Sequence, residues 1–323
     1  MSDREKKTGK NDNGKKNKGG KRNKIVAIEM IILVLLIMAA VAIFIQRDKS
    51  VKEAAKIHNQ KAKKTEQTPQ AVQKENEIEE ETEGTEEENG DRDASVPDRS
   101  NFAVQPGVSV GTTEQSDEKI VYLTLDDGPS DNTQAVLDIL DKYNAKATFF
   151  VTGEMPEYKD MIKAAYDKGH TIGMHTYSHD YAKVYASVDA YFQDLDQIGQ
   201  MVQEEIGYVP CFIRFPGGSS NTVSKKYTAG IMSTLVQEVQ NRGYQYYDWN
   251  GSSGDGSVRT TEELVAQATS FDSNNIILLC HDSHGKQTTV EALPQIIEHY
   301  QSLGYTFKAL DRDSFVAHHG VNN

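Results

Sequence analysis

Two adjacent carboxylates, Asp126 and Asp127, close the apolar run VYLTL and are followed at once by Gly128-Pro129. Like charges this close repel, so each needs a proton, a cation or a hydrogen-bonding partner. Asp and Gly-Pro are also ordinary turn formers, and alone the pair does not separate a solvated loop from a site. A second group, His175-Thr176-Tyr177-Ser178-His179, places two imidazoles at i and i+4. On a helical turn that spacing puts both on one face, where they can grip one metal ion. Two His and one Asp leave open positions on a divalent ion, the arrangement of a catalytic rather than a structural centre. Polar groups also end other apolar runs: Arg214 in RFPGG, Asp255 in YDWNGSSGD and His281 in LLCHD.

These groups need elements to carry them. From residue 119 short apolar runs alternate with helix-length segments. The pattern predicts strands over 121–125, 147–152, 171–174, 211–215, 244–249, 276–280 and 306–308. Helices are predicted near 132–142, 157–168, 188–206, 222–242, 261–270 and 290–303, with Asp131, Ser187 and Thr260 as caps. Gly169, Gly207, Gly243 and Gly304 stand where helices should stop. Strand-helix alternation argues an α/β fold on a parallel sheet, either a distorted (β/α) barrel of about seven strands or an open doubly wound sheet. In both, site residues gather at the carboxyl ends of strands, where Asp126 and Asp127 fall.

The rest of the chain reads differently. Residues 1–24 hold ten Lys or Arg against three acids and are expected to form a disordered basic tail. Residues 25–45 hold a single charge, Glu29, over a length that crosses a bilayer as one helix. We read this segment as an uncleaved anchor; a long signal peptide, with Ala40-Val41-Ala42 at cleavage-like spacing, is the alternative. Six Lys or Arg in 15–24 against three in 46–55 place the N-terminus in the cytoplasm, although over 10–24 and 46–65 the counts are seven each. Residues 46–118 read as a low-complexity linker whose acidic middle, ENEIEEETEGTEEENGDRD, repels itself. The formal net charge of −13 owes much to that stretch, and no basic patch in the folded part argues for nucleic acid. Cys211 and Cys280 are read as two buried thiols, with a disulfide as the alternative.

Taken in order, TLDDGP, HTYSH, RFPGG, DWNGSSGD and LLCH resemble the five motifs of the polysaccharide deacetylases, the carbohydrate esterase family 4 or NodB-homology domain. The resemblance covers roughly residues 118–310 and is greatest to membrane-anchored peptidoglycan N-acetylglucosamine deacetylases of Gram-positive bacteria. It implies a catalytic domain over 119–312, a C-terminal tail over 313–323 and a distorted (β/α) barrel. It also implies roles. Asp127, His175 and His179 would hold a divalent metal, most simply zinc, with cobalt, nickel or manganese as substitutes. Asp126 would be the base, Arg214 its tuning partner, His281 the acid and Asp255 the residue on its other ring nitrogen. The Gly217 N–H would face the oxyanion, and Trp249 and Leu279 would wall the acetyl methyl, although either could be plain core.

Two departures stand out. The family often carries a large residue or Arg where Gly217 or Gly218 stands, so the groove is expected to be more open. Gly256 follows Asp255 where Trp is frequent, so one aromatic wall is expected to be missing. His284 is read as a solvated loop residue, Asp282 as a loop cap, and His170, His299, His318 and His319 as surface positions. The expectation is a monomeric, extracytoplasmic, single-pass membrane enzyme acting on acetylated cell-wall glycan. The alternatives are a deacetylase of poly-N-acetylglucosamine, chitooligosaccharide or acetylxylan, and a non-catalytic glycan-binding protein.

Overall fold

A computed structural model of the chain describes Arg99 and residues 101–322. The basic tail, the candidate span 25–45 and the acidic stretch lie outside the described residues. No helix among the described residues is long and apolar enough to cross a membrane.

The described strands are β1 (Ile120–Asp126), β2 (Ala147–Thr152), β3 (Thr171–Thr176), β4 (Phe212–Ile213), β5 (Gln245–Tyr246), β6 (Gly251–Ser252), β7 (Asn275–His281) and β8 (Thr306–Phe307). They form one parallel sheet in the order β5-β4-β3-β2-β1-β7-β6, with β8 beside the first two residues of β1. The edge strands β5 and β6 are separated in sequence by residues 247–250 alone. So short a connection reaches at most roughly 15–18 Å. The sheet must therefore curl until its edges nearly meet, which decides for the distorted barrel. Its ladder stays open between β5 and β6.

Both faces of the central strands are covered. Every residue of β1 and β2 is buried, as a parallel sheet with helices outside and a filled interior requires. Leu123, Leu125, Phe149, Met174 and Leu278 pack outward against the helices. Tyr122, Phe150, Phe212, Tyr247 and Ile277 fill the inside.

The helices are α1 (Thr133–Lys142), α2 (Asp160–Asp167), α3 (Tyr181–Val184), α4 (Val188–Ile206), α5 (Ile231–Asn241), α6 (Thr261–Ala268) and α7 (Gln287–Ser302). Ser187 caps α4 and Thr260 forms a capping box with Glu263, as their positions predict. Asp131 is not a cap; α1 starts after Asn132, and Asp131 pairs with the exposed His284. The helix expected over 222–242 begins only at Ile231, because Gly230 before it is left-handed at φ 77°. The two-residue β6 and the four-residue α3 had no periodic signal to announce them.

The packed unit runs past both expected limits. Phe102 and Val110, assigned by sequence to the linker, and Phe315, Val316 and Ala317, assigned to a tail, are buried in the interior cluster. Phe102 meets Phe212 edge-on at 5.2 Å, and Arg312 Nη2 donates to Ala103 O at 2.7 Å. Cys211 and Cys280 are free and buried, so the thiol reading holds.

His170, expected at the surface, is fully buried. Its Nδ1 accepts from the Ala147 N–H at 3.2 Å, its ring lies edge-on to Phe149, and Nε2 has no partner. Burial, reinforced by Lys146, pushes its pKa down to about 3. Between that value and about 6.5, the unfolded value, the unfolded chain binds the extra proton. His170 thus contributes stability in full above about 6.5, and loses it as pH falls toward about 3. We expect His170→Asn, which keeps an acceptor near Nδ1, to flatten the pH dependence of unfolding between about pH 6.5 and 4, by up to about 1.4 kcal/mol per pH unit. Urea titrations at several pH values measure this, and identical slopes in the two proteins would refute it.

Candidate active site

The carboxyl ends of β1, β3, β4 and β7 meet at one mouth of the barrel. Register places Asp126 directly beside His281 on the neighbouring strand. Asp127, one residue past β1, leaves the strand with φ 67°, a left-handed conformation uncommon outside glycine. That turn throws its carboxylate across the mouth toward β3.

His175 is the last residue but one of β3, and its ring is fixed by chemistry. Nδ1 lies 2.7 Å from the Arg214 carbonyl oxygen, which can only accept, so Nδ1 carries the proton and Nε2 presents a lone pair. Burial pushes its pKa down to about 3, against the pull of the Asp127 carboxylate. His179 does not follow on a helical turn. The chain stays extended through Thr176, bends, and sets His179 in the left-handed region at φ 45°. The two imidazoles still converge, 5.1 Å apart between centroids.

Asp127 Oδ1 lies 3.4 Å from His175 Nε2 and 3.3 Å from His179 Nε2. It is buried and makes no hydrogen bond. One ligand atom from each of the three residues lies within 4.8 Å of the others. One carboxylate oxygen and two imidazole nitrogens facing one another without a hydrogen bond between them, two of the residues on strained backbone, fit a divalent ion well. One carboxylate and two imidazoles suit zinc and its first-row neighbours.

Asp126 points inward and is 3% exposed. Its Oδ1 accepts from Arg214 Nη1 at 2.7 Å. Burial raises its pKa above the usual carboxylate range, against the opposing charges of Arg214 and His281. Arg214 therefore orients the carboxylate but does not pull it below an ordinary Asp. The guanidinium is wholly buried, donating also to Thr124 Oγ1 at 2.7 Å, Tyr247 O at 2.8 Å and Asp248 O at 3.2 Å, and lying 4.3 Å over the Phe150 ring.

Across the mouth, His281 Nδ1 donates to Asp255 Oδ1 at 2.8 Å. Its Nε2 faces inward, 3.8 Å from Asp127 Oδ2. Burial disfavours its charge, but the Asp255 carboxylate, with Asp126 and Asp127 behind it, holds its pKa up at about 9. Asp255 is fixed in turn by Thr289 Oγ1 at 2.9 Å and the His281 N–H at 2.8 Å.

The glycine turn of RFPGG has φ 74° at Gly217 and 76° at Gly218. Gly218 N–H bonds back to Phe215 O, whereas among the described residues the Gly217 N–H has no acceptor. The turn is not the open space its sequence suggests. A Cβ on Gly217 would lie 2.7 Å from the Tyr181 hydroxyl, and one on Gly218 would lie 3.0 Å from both the Asp248 carboxylate and the Trp249 ring. Trp249 is half-buried beside this turn, and Leu279 is buried but belongs to neither core cluster. Asp126, Asp127, His175, His179, Arg214, Asp255 and His281 thus converge, with Trp249 5.7 Å from the Arg214 guanidinium and Leu279 two residues before His281 on β7, while His284 stays outside in its exposed pair with Asp131.

Other residues of consequence gave little sequence signal. Asp194 on α4 accepts from the Tyr177 N–H at 2.6 Å and from Ser178 Oγ at 2.5 Å, pinning the bend that sets His179. Asp282, expected as a loop cap, is fully buried beneath the 126–130 turn, accepting from Thr133 Oγ1 at 2.6 Å, with burial pushing its pKa up to about 7. His319, expected at the surface, sets its ring nitrogen 2.7 Å from Trp249 O and its ring edge-on to the indole at 4.8 Å.

Known proteins resemble this chain in sequence and fold. The sequence model of the Polysaccharide deacetylase family matches residues 113–236. The crystal structure of the catalytic domain of a peptidoglycan N-acetylglucosamine deacetylase from Eubacterium rectale is 47% identical, covers 65% of this chain and 97% of its own, and superposes with a TM-score of 0.63. The polysaccharide deacetylase Bc1974 from Bacillus cereus is 30% identical over 64% of this chain and 97% of its own, with a TM-score of 0.53. A Bacillus cereus peptidoglycan-N-acetylglucosamine deacetylase is 29% identical over 226 residues, 65% of this chain and 78% of its own.

The Asp194 bond network yields an expectation. Asp194→Ala should fold, yet weaken zinc binding about 10- to 100-fold, because the bend carrying His179 loses its anchor. Chelator-competition titration of the purified chain reads this out, and an unchanged affinity would show that the bend needs no anchor.

Proposed function

The chain belongs to the polysaccharide deacetylase family, and on that premise we propose that it hydrolyses the N-acetyl group of N-acetylglucosamine residues in peptidoglycan or a related cell-wall glycan. The observation that carries this reading is the convergence of Asp127, His175 and His179 ligand atoms, with Asp126 beside them and His281 on the adjoining strand. Asp127, His175 and His179 would hold the metal, for which zinc is our choice. When bound, the ion would supply Lewis acidity to water and carbonyl oxygen and lower the pKa of the water.

The chain's own groups do the rest. Asp126 takes the proton from the water whose oxygen attacks the acetamide carbon. The Gly217 N–H, without an acceptor among the described residues, donates to the carbonyl oxygen as negative charge gathers there. His281 gives its Nε2 proton to the departing nitrogen as the C–N bond breaks, so that acetate and a free amine result. Asp255 holds that imidazole charged and aimed, and Arg214 holds Asp126 in place. Trp249 and Leu279 bound the space for the acetyl methyl. We also propose that residues 25–45 anchor the enzyme in the membrane as one helix, with the acidic stretch as a tether and the catalytic domain outside.

Acetate release tests the reading on peptidoglycan, N-acetylglucosamine oligomers and acetylxylan, with and without chelator. We expect chelator-sensitive release from the amide substrates and little from acetylxylan. Asp126→Asn should lower kcat about 10²- to 10⁴-fold while glycan binding persists. Binding without release by the wild type would instead mark a glycan-binding protein.

The two proton carriers fix a pH profile. Activity requires Asp126 unprotonated and His281 protonated, so it rises through the first pKa and falls through the second. The alkaline limb lies at or below the His281 value of about 9, since a cation beside Asp127 can only lower it. Asp255→Asn removes the charge that raises His281, and should move that limb down by about one pH unit or more. A limb that stays put in kcat/KM profiles would detach Asp255 from the His281 proton.

A further inference from the structure

We propose that the Tyr181 hydroxyl is a further catalytic residue, a side-chain donor that joins the Gly217 N–H on the carbonyl oxygen of the bound acetamide. This inference rests on the deacetylase reading above. A Cβ on Gly217 would come within 2.7 Å of Tyr181 Oη, so the hydroxyl occupies the space a side chain at 217 would fill. It is thereby held beside Gly217, whose N–H has no acceptor among the described residues. On its other side the Tyr181 ring stands edge-on to His179, with centroids 5.8 Å apart at 88°. The residue thus spans the gap between the proposed metal ligands and the glycine turn, its ring beside His179 and its hydroxyl beside Gly217, where a carbonyl oxygen bound to both would sit.

Tyr181 is well braced for this role. It opens α3, whose N-terminus is capped by Asp180 accepting from the Ala182 N–H at 3.0 Å. Its ring also stands against Tyr185 at 5.6 Å, and the buried Tyr185 hydroxyl donates to Pro216 O at 2.8 Å. The helix and the turn are therefore tied together one residue before Gly217. Yet among the described residues nothing hydrogen-bonds Tyr181 Oη itself. A phenol fixed on three sides and left with an unused donor suits a ligand oxygen better than a packing role. It also accounts for glycine at 217: any larger residue would displace the hydroxyl.

The test uses the full chain loaded with zinc and an N-acetylglucosamine oligomer as substrate. Tyr181→Phe should lower kcat about 10- to 100-fold, with KM changed by less than about threefold and zinc affinity by calorimetry unchanged. Gly217→Ala should lower kcat in the wild type by displacing the hydroxyl, and cost less when Tyr181→Phe has already removed it. The backbone strain of alanine at 217 is common to both backgrounds and cancels in that cycle. A wild-type kcat in Tyr181→Phe overturns the proposal, as does a loss that saturating zinc restores, which would make Tyr181 only a brace for His179. If the wild type releases no acetate from any oligomer, it is the deacetylase reading that fails.

Discussion

The Arg214–Asp126 pair is the interaction on which the rest of the mouth depends. Both groups are buried, the guanidinium completely, and they meet at 2.7 Å. Three carboxylates, Asp126, Asp127 and Asp255, converge on this end of the barrel, and a low-dielectric setting punishes any that lacks a partner. Arg214 supplies the only permanent positive charge among the residues that touch Asp126. It is itself satisfied by Thr124, Tyr247 O and Asp248 O, so it ties β1 to the ends of β4 and β5. Removing one partner of such a pair costs about 3–5 kcal/mol, because the other charge is stranded. The same bond that fixes the proposed base therefore holds the strand ends in register.

The neighbouring residues divide the remaining charge by environment. Asp127 Oδ1 has two imidazole nitrogens across from it and no hydrogen bond, which suits it to a cation. His175 and His281 are both buried imidazoles, yet burial drives one down to about 3, while Asp255 holds the other up at about 9. One ring is a lone-pair donor at neutral pH and the other an acid. Two non-glycine residues in left-handed backbone, Asp127 and His179, store strain of about 1–3 kcal/mol each where the ligands converge. Asp194 and Asp282 are the buried carboxyls against which that strain is braced.

The residues proposed as ligands, base and acid could be picked out in the sequence because chemistry restricts such roles to few residue types at strand ends. Strand positions followed from short apolar runs bounded by glycine and caps, and the major strands appear within one or two residues of where they were expected. What the sequence hid was contact across distance. Asp194 looks like one more polar position on an amphipathic helix, and only the fold sets it under Tyr177, seventeen residues earlier. His170 lies in a run, KGHT, that reads as a helix stop, and its burial depends on Phe149 from another strand. The HTYSH spacing found the right pair for the wrong local reason, since His175 sits on a strand and His179 in a bend. The helix overextended to 222 ignored Gly230, a breaker that was in plain view.

The unclosed edge of the barrel explains why the chain ends matter. Between β5 and β6 no ladder spans the gap, and residues 247–250, which carry Asp248 and Trp249, cross it. Tyr247 and Asn250 still donate to Ile213 O and Ile277 O of the sheet, but at Asp248 and Trp249 between them the C-terminal segment supplies the partners. Asp248 N–H donates to Ala317 O at 3.0 Å, and the Asp248 carboxylate accepts from the His319 N–H at 2.8 Å and from Ser219 N–H at 2.8 Å. One buried carboxylate thus joins three segments: the glycine turn, the Trp249 wall and the chain terminus. Trp249 then rests between the Gly218 backbone, which admits it only because no Cβ intervenes, and the His319 ring. A closed barrel would have fixed this wall with strand hydrogen bonds. An open one uses the Asp248 carboxylate, held by backbone N–H groups of Ser219 and of His319, 71 residues away, and so makes the placement of Trp249 depend on the segment around His319.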